Sequence, residues 1–228
     1  MAKEQRAEKQ RAEKQMAKKL DDSQNRGEFF KSLGTLFAGF IAERIEEAVV
    51  GLALTYLRPP GALDELAFLT ACTRCDKCME ACPQDSILKA NASAGLAMGT
   101  PYIVPRAMPC FLCTDLPCVK VCPDDALIWP KAKRNDGSEL TGPPAVRMGT
   151  AMVKENRCLT WPRGEYPAQS CRTCVDRCPY TGEALFLSSE EDGGIAHPRV
   201  NPGFCTGCGL CEFACPTHKP SIVVEPRR

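Results

Sequence analysis

The chain has 228 residues, a formal net charge of +1, and 25% charged and 44% hydrophobic residues. This composition is ordinary for a globular protein and excludes a collagen-like or disordered chain. The near-neutral charge gives no basic field for binding nucleic acid. We expect no transmembrane segment, because Glu43, Arg44, Glu46 and Glu47 interrupt the most apolar region well before the roughly 18 uncharged residues that a span needs. The unusual feature is the cysteine content, 16 residues in all.

The first 57 residues are predicted to be helical and to form a segment of their own. Residues 6–10 and 11–15 repeat the sequence RAEKQ, which favours a helix but offers no apolar face. Over residues 28–57 apolar side chains recur at helical spacing, until the sequence Arg-Pro-Pro-Gly at 58–61 ends the pattern. We therefore predict two parts, a polar arm with an amphipathic helix over residues 1–57 and a main domain over residues 58–228.

The predicted helix at 28–57 has two interpretations, and the pattern favours neither. It packs on its own domain, or it docks onto a partner. The partner is either a catalytic subunit or a second copy of the chain. In the second case the contact would be head-to-tail and could build an open filament.

The cysteines form four groups of four, numbered here motifs 1 to 4 in chain order, and a proline follows the last cysteine of each. Motifs 1 and 4 read C-x2-C-x2-C-x3-C-P, whereas motif 2 has a longer second gap and motif 3 a longer first gap. Motif 1 is Cys72, Cys75, Cys78 and Cys82; motif 2 is Cys110, Cys113, Cys118 and Cys122; motif 3 is Cys158, Cys171, Cys174 and Cys178; motif 4 is Cys205, Cys208, Cys211 and Cys215.

This spacing is typical of cysteines that bind [4Fe–4S] clusters. Three cysteines with two residues between each and the next let a short segment curl around one face of a cubane cluster. The amides of that segment can donate hydrogen bonds to sulfur. The fourth cysteine is predicted to open a short helix that points at a neighbouring cluster. The sequence therefore predicts four [4Fe–4S] clusters, with all sixteen cysteines as iron ligands.

Three other uses of cysteine explain the pattern less well. Disulfide scaffolds are usually short and spread their cysteines along the chain. Structural zinc sites separate two C-x2-C pairs by a longer loop. Covalent haem needs C-x-x-C-H, and Met79, Val175 and Glu212 stand at the histidine position. Because no cluster lacks a ligand, we predict an electron carrier without a catalytic centre, and we assign no catalytic role to His197 or His218.

Short strands are predicted between the motifs, at residues 101–105, 126–129, 151–154, 184–187 and 221–224. Residues 130–149 are predicted to be an insertion and residues 190–194 a hairpin loop. The predicted fold is α+β, with two ferredoxin-like two-cluster units on small antiparallel ribbons, preceded by the long N-terminal helix.

Residues 57–228 resemble the NapG/MauM group of ferredoxin-type proteins. The stretches that carry the resemblance are LRPPGALDELAFLTACTRCDKCMEACP at 57–83, GTPYIVPRAMPCFLCTDLPCVKVCP at 99–123 and CTGCGLCEFACP at 205–216. The chain is also similar to the four-cluster subunits of molybdenum and tungsten enzymes. The resemblance implies an electron-transfer subunit within a multi-subunit oxidoreductase.

The similarity to molybdenum and tungsten enzymes further implies that motifs 1 and 4 share two clusters and that motifs 2 and 3 share the other two. Each cluster would then be bound by the first three cysteines of one motif and the fourth cysteine of the motif paired with it. The four ligand sets would be Cys72, Cys75, Cys78 and Cys215; Cys205, Cys208, Cys211 and Cys82; Cys110, Cys113, Cys118 and Cys178; and Cys158, Cys171, Cys174 and Cys122. From the sequence alone, the pairing of motif 1 with 2 and of motif 3 with 4 stays open.

The resemblance implies a catalytic partner that carries tungsten or molybdenum, and we name a tungsten-dependent aldehyde oxidoreductase first, with a flavin subunit as a candidate electron acceptor. The alternative is a NapG-like, quinol-linked subunit of a nitrate reductase-type system at the membrane. NapG-like proteins carry a twin-arginine export signal, but the matching stretch here reads RGEFFK at 26–31, with Gly27 in place of the second arginine. We therefore expect a degenerate signal and a cytoplasmic protein.

Overall fold

The computed structural model describes residues 56–133, 137–162, 165–188 and 194–227, all of which belong to one compact unit. Its regular elements are short. The helices are α1 (Glu65–Ala71), α2 (Lys77–Glu80), α3 (Pro117–Lys120), α4 (Thr173–Asp176) and α5 (Leu210–Ala214). The strands are β1 (Ile87–Lys89), β2 (Pro101–Ile103), β3 (Lys131–Lys133), β4 (Glu139–Thr141), β5 (Gly149–Val153), β6 (Leu185–Leu187), β7 (Pro198–Val200) and β8 (Ile222–Pro226). Three 3₁₀ helices lie at Ala92–Ala97, Pro143–Ala145 and Glu155–Arg157.

The described chain is built as two similar halves, which we define as the first half, residues 56–128, and the second half, residues 148–227. In the second half β5 pairs with β8, and β6 pairs with β7, both antiparallel. The first half repeats this plan, because β1 pairs with β2 and residues 61–63 pair with 126–128. The hairpin of β3 and β4 lies in the segment that connects the halves. These are the two units with antiparallel ribbons that the sequence predicts.

Four of the five predicted strands are confirmed to within two residues at each end, as β2, β5, β6 and β8. The fifth prediction, at 126–129, is only a bridge from Leu127 to Ala62, flanked by two backbone hydrogen bonds. The predicted insertion at 130–149 holds the β3–β4 hairpin and one 3₁₀ helix. The predicted hairpin loop at 190–194 lies mostly outside the described residues.

The predicted N-terminal helix also lies outside the described residues, except for its last two positions. There the prediction is wrong: Leu57 is extended and forms a bridge with Ile103, whose N–H donates to the Leu57 carbonyl at 2.8 Å. The physical reason is burial. Leu57 is 3% exposed and belongs to the core, so the backbone pairs with β2 instead of continuing a helix. The domain boundary at residue 57 stays a prediction.

Arg58 fixes the start of the first half. Its guanidinium pairs with the Glu65 carboxylate, donates to Thr100 Oγ1 at 2.8 Å and to the Pro101 carbonyl at 2.9 Å, and lies 4.7 Å from the centroid of the Phe68 ring. A buried charge needs this degree of pairing, because an unpaired one would be costly to desolvate. Helix α1 and strand β2 are thereby held together.

The hydrophobic core is continuous with the cysteines. Phe68, Leu116 and Val146 are fully or almost fully buried, and the same cluster of buried residues includes Cys110 and Cys208. A core of this size with so many thiols gains much of its stability from what the thiols bind. Among the described residues, no helix has the length and apolar character of a membrane span.

Candidate cluster-binding sites

The sixteen cysteines line four separate cavities, four to each. Every cavity has about 350 to 410 Å³ of space and is partly open to solvent. Cavity I is lined by Cys72, Cys75, Cys78 and Cys122; cavity II by Cys82, Cys110, Cys113 and Cys118; cavity III by Cys178, Cys205, Cys208 and Cys211; cavity IV by Cys158, Cys171, Cys174 and Cys215. No predicted ligand is left outside a cavity.

The motifs share cavities within each half, so the expected pairing is wrong. Motifs 1 and 2 exchange their fourth cysteines, Cys82 and Cys122, and motifs 3 and 4 exchange Cys178 and Cys215. The cause is the local chain path: the β1–β2 ribbon returns motif 2 beside motif 1, and the β6–β7 ribbon does the same for motifs 3 and 4. This is the pairing that the sequence alone left open.

A single turn of helix carries each motif from its own cavity to the neighbouring one. The third cysteine lies inside the helix, as Cys78 does in α2, and the fourth follows its end, as Cys82 does. One helical turn advances the chain by about 5.4 Å, which separates the two thiols along the helix axis. Helices α2 and α3 pack together in the first half, as α4 and α5 do in the second. Two such turns join each pair of cavities.

The fourth cysteine therefore follows the short helix and does not open it, contrary to the prediction. The third cysteine occupies the first turn instead, as Cys211 does in α5, which ends at Ala214 with Cys215 as its cap. The proline after the fourth cysteine explains this, because a residue that precedes proline is disfavoured in the helical region.

The spacing of the thiols suits a cofactor of several atoms. Among the residues that the structure describes, no three Cys, His, Asp or Glu side chains are grouped tightly enough to hold one metal ion. The thiols instead stand around a space, as the ligands of a cubane cluster must. Four thiols around one space, three from one motif and the fourth from its neighbour, form the ligand set of a [4Fe–4S] cluster.

Hydrogen-bond donors point at the sulfur atoms, as they do around iron–sulfur clusters. Backbone N–H groups donate to Cys122 Sγ from Leu127 at 3.4 Å, to Cys205 Sγ from Ala151 at 3.4 Å, and to Cys215 Sγ from Ser221 at 3.2 Å. The hydroxyl of the buried Thr160 lies 3.3 Å from Cys158 Sγ. Such donors stabilise negative charge on sulfur.

Burial sets the protonation of the thiols. Burial, the larger cause, and neighbouring cysteines together raise the pKa of Cys110, Cys118 and Cys174 to about 12 and that of Cys78 and Cys178 to about 11. At Cys215 burial also raises the pKa, but hydrogen bonds from Thr217 and Ser221 outweigh it and lower the pKa overall. Iron that binds these thiols must therefore displace protons.

Residues between the ligands adopt left-handed backbone conformations. Arg74 and Asp76 flank Cys75 in motif 1 at φ 59° and 64°, and Gly207 and Gly209 flank Cys208 at the same positions of motif 4 at φ 73° and 85°. Such residues reverse the chain between successive ligands. Cysteine spacing gives no sign of this conformation in motif 1, where the residues are not glycine.

Three features near the sites were not predicted. Arg106 bonds to carbonyl groups of α5 from the other half, Gly207 lies against the backbone of Gly149, and Trp161 stacks on His197 with ring centroids 4.0 Å apart. Each depends on contacts between residues distant in sequence.

Comparison with known proteins identifies the kind of domain. Residues 71–126 and residues 169–219 each match a protein-family model described as a 4Fe-4S dicluster domain. The first stretch contains motifs 1 and 2, and the second contains motif 4 with all of motif 3 except Cys158. Two dicluster domains, each with two cavities of four thiols, give the chain four [4Fe–4S] clusters.

The relatives are similar over most of the chain. The ferredoxin-type protein NapG of Escherichia coli (strain K12) is 37% identical over 202 residues, which cover 86% of this chain and 81% of the relative. The methylamine utilization ferredoxin-type protein MauM of Methylophilus methylotrophus is 36% identical over 216 residues, 92% of this chain and 89% of the relative. MauM of Methylobacillus flagellatus is 40% identical over 178 residues, 77% of this chain and 70% of the relative.

The solved structures that match include a formate dehydrogenase, heterodisulfide reductase and formylmethanofuran dehydrogenase complex from Methanospirillum hungatei. The match covers 76% of this chain and 55% of that chain, at 20% identity and a TM-score of 0.24. A TM-score this low carries no argument about fold or function.

Proposed function

Because the chain belongs to the NapG and MauM group of ferredoxin-type proteins, we propose that it is the electron-relay subunit of an oxidoreductase complex, with all sixteen cysteines as iron ligands. Like its ferredoxin-type relatives, the chain is an electron carrier and not a catalytic enzyme. The observation that carries the proposal is the number of ligands. Each cavity has four thiols, so every iron of a four-iron cluster would have one protein ligand and none would keep an open position for a substrate.

The residues of the chain have three tasks in such a relay. A [4Fe–4S] cluster, when bound, accepts and releases one electron without breaking bonds. The thiolates hold it at a fixed place, and the amides of Leu127, Ala151 and Ser221 stabilise the charge that arrives with an electron. Apolar residues that line the cavities, such as Phe68 at cavity I and Ile222 at cavity IV, limit access of water.

The identity of the partner is the finer part of the proposal. No relative supports the tungsten-dependent aldehyde oxidoreductase that the sequence suggested first. The ferredoxin-type names NapG and MauM favour the alternative, in which the chain serves a quinol-linked or another redox partner. A flavin subunit, a molybdenum subunit and self-association through residues 1–57 remain outcomes that co-purification distinguishes. The cytoplasmic location stays a prediction.

The test is anaerobic purification of the full chain, with iron and sulfide counted and the visible absorbance followed during stepwise reduction. The proposal expects iron and sulfide in equal amounts, about four of each per site, and absorbance that bleaches and returns reversibly. Zinc without sulfide, or iron that does not cycle, would contradict it. Affinity capture of the chain from its own cell extract, with and without membranes, then identifies the partner: recovery of an oxidoreductase subunit supports the relay role, and recovery of none overturns it.

A further inference from the structure

The two halves meet through the loop that precedes motif 2 and the ligand loop of motif 4. The N–H of Cys110 donates to the carbonyl of Cys208 at 2.9 Å. Beside this bond Pro105 lies so close to Gly209 that a Cβ on Gly209 would stand 2.4 Å from the Pro105 Cβ. Cys110 and Cys208 are both buried. One ligand of cavity II and one ligand of cavity III are therefore in direct backbone contact.

Arg106 clamps this junction. Its side chain leaves the first half and donates to carbonyl groups at the end of α5 and just beyond it. The distances are 3.0 Å to Glu212, 3.1 Å to Phe213, 2.9 Å to Cys215 and 3.2 Å to Thr217. The last carbonyl groups of a helix have no partners within the helix, and a cation stabilises them. One side chain thus fixes α5 relative to the first half.

We propose that the four sites work in the order I, II, III, IV, that electrons cross between the halves at the Cys110–Cys208 contact, and that Arg106 is the positioning residue of this step. The proposal deepens the proposed relay function and rests on it. In this order motif 4 lies inside the relay and motif 3 lies at its end, so the spatial order of the motifs is 1, 2, 4, 3.

Each neighbouring pair of cavities is joined by a short path through the protein. Cavities I and II are joined by the turn from Cys78 to Cys82, and cavities III and IV by the turn from Cys211 to Cys215. Cavities II and III are joined by the hydrogen bond from the Cys110 N–H to the Cys208 carbonyl, so the path between them runs through the side chain of Cys110, this bond and the side chain of Cys208.

The crossing is balanced as a one-electron transfer. One half is oxidised by one electron, the other half is reduced by one, and neither a proton nor a covalent bond changes place. The direction depends on which end meets the reductant, a low-potential one-electron donor or a quinol. Cavities I and IV are the two ends, and only these need to approach a partner protein.

The order is tested by electron paramagnetic resonance of the fully reduced, full-length protein, in which neighbouring paramagnetic sites broaden each other's signals. Two variants each remove one site, Cys205→Ala at cavity III and Cys171→Ala at cavity IV. We expect Cys205→Ala to abolish the coupling between the halves, so that the signals of the first half sharpen, and Cys171→Ala to leave those signals unchanged. Sharpening with Cys171→Ala, or with neither variant, overturns the order.

Arg106→Gln keeps every ligand and tests the junction itself. We expect full iron content with loss of the coupling between cavities II and III, and partial recovery with Arg106→Lys, since an ammonium cannot reach as many carbonyl groups as a guanidinium. Arg147→Gln is the matched control, because Arg147 also bonds to carbonyl groups, those of Pro144, Val146 and Gly203, but none of them belongs to α5. Unchanged coupling in Arg106→Gln, or equal loss in Arg147→Gln, overturns the role of Arg106. Absence of iron from the unaltered chain would instead contradict the proposed function.

Discussion

Gly207 lies against Gly149 so closely that a Cβ on Gly207 would stand 2.3 Å from the Gly149 nitrogen and 2.6 Å from its oxygen. Gly207 belongs to the ligand loop of motif 4, and Gly149 is the first residue of β5. The β5–β8 ribbon therefore supports the wall of cavity III, which Gly207 lines, through contact between two backbones. No side chain fits between them.

Gly207→Ala should strongly destabilise the second half. Alanine at φ 73° costs about 1–2 kcal/mol, and the clash with Gly149 adds about 1–3 kcal/mol of overpacking. The measurement is the guanidinium concentration at which the cluster absorbance is lost under anaerobic conditions. Gly182→Ala is the control, because Gly182 has φ 85° but no atom within 4 Å of the added Cβ. An equal loss of stability in both variants would show that backbone strain at positive φ, and not the contact with Gly149, causes the destabilisation.

Arg58→Ala should unfold the start of the first half. The side chains of Arg58 and Glu65 are only 8% and 15% exposed, and removal of one partner from a buried pair costs about 3–5 kcal/mol. Lys133→Ala is the control, since the Lys133–Glu139 pair is 78% and 75% exposed and should contribute little. The readout is the same unfolding midpoint, and a similar shift in both variants would contradict the prediction.

Iron counting in double variants tests which motifs share a site. Cys72→Ala and Cys122→Ala should each remove about four irons, and the double variant should remove no more, because both cysteines line cavity I. The double variant Cys72→Ala with Cys215→Ala should remove about eight irons, since Cys215 lines cavity IV. The opposite result, non-additive loss for Cys72 with Cys215, would restore the pairing of motif 1 with motif 4.

Thr160→Val should lower the reduction potential of the cavity IV site. The Thr160 hydroxyl lies 3.3 Å from Cys158 Sγ, and a donor at this place stabilises the more negative, reduced state. A difference of about 1.4 kcal/mol between the redox states corresponds to about 59 mV for one electron, so we expect a shift of tens of millivolts. Thr160→Ser keeps the hydroxyl and should hold the original potential in a redox titration. An unchanged potential in Thr160→Val would mean that the hydroxyl does not donate to sulfur.

The ligands could be predicted from sequence because cluster binding constrains nearby residues. The spacing of Cys72, Cys75 and Cys78 is fixed by one face of a cluster, and all sixteen cysteines do line cavities. The sharing of cavities was predicted incorrectly, although the sequence held a signal for it. Cys110 follows Cys82 by 28 positions and Cys205 follows Cys178 by 27, whereas the gap between the halves is longer. Two gaps of nearly the same length indicate a repeated two-motif unit.

The junction between the halves could not be predicted. Arg106 and the carbonyl of Glu212 are 106 positions apart, and their contact exists only because two ribbons return the chain to one place. An arginine in a loop is ordinarily solvated, so its residue type alone carries no information. The same holds for Gly207, since a glycine in a loop indicates a turn but not the backbone that lies against it.

The exchange of fourth cysteines within each half determines when the ligands of each cluster become available during synthesis of the chain. Cys72, Cys75 and Cys78 leave the ribosome first, but cavity I has no fourth ligand until Cys122 follows. Both cavities of the first half then have all their ligands, before any cysteine of the second half has left the ribosome. Each half therefore supplies all the ligands of its own two clusters, so the ligand sets of the first half are complete without any residue of the second.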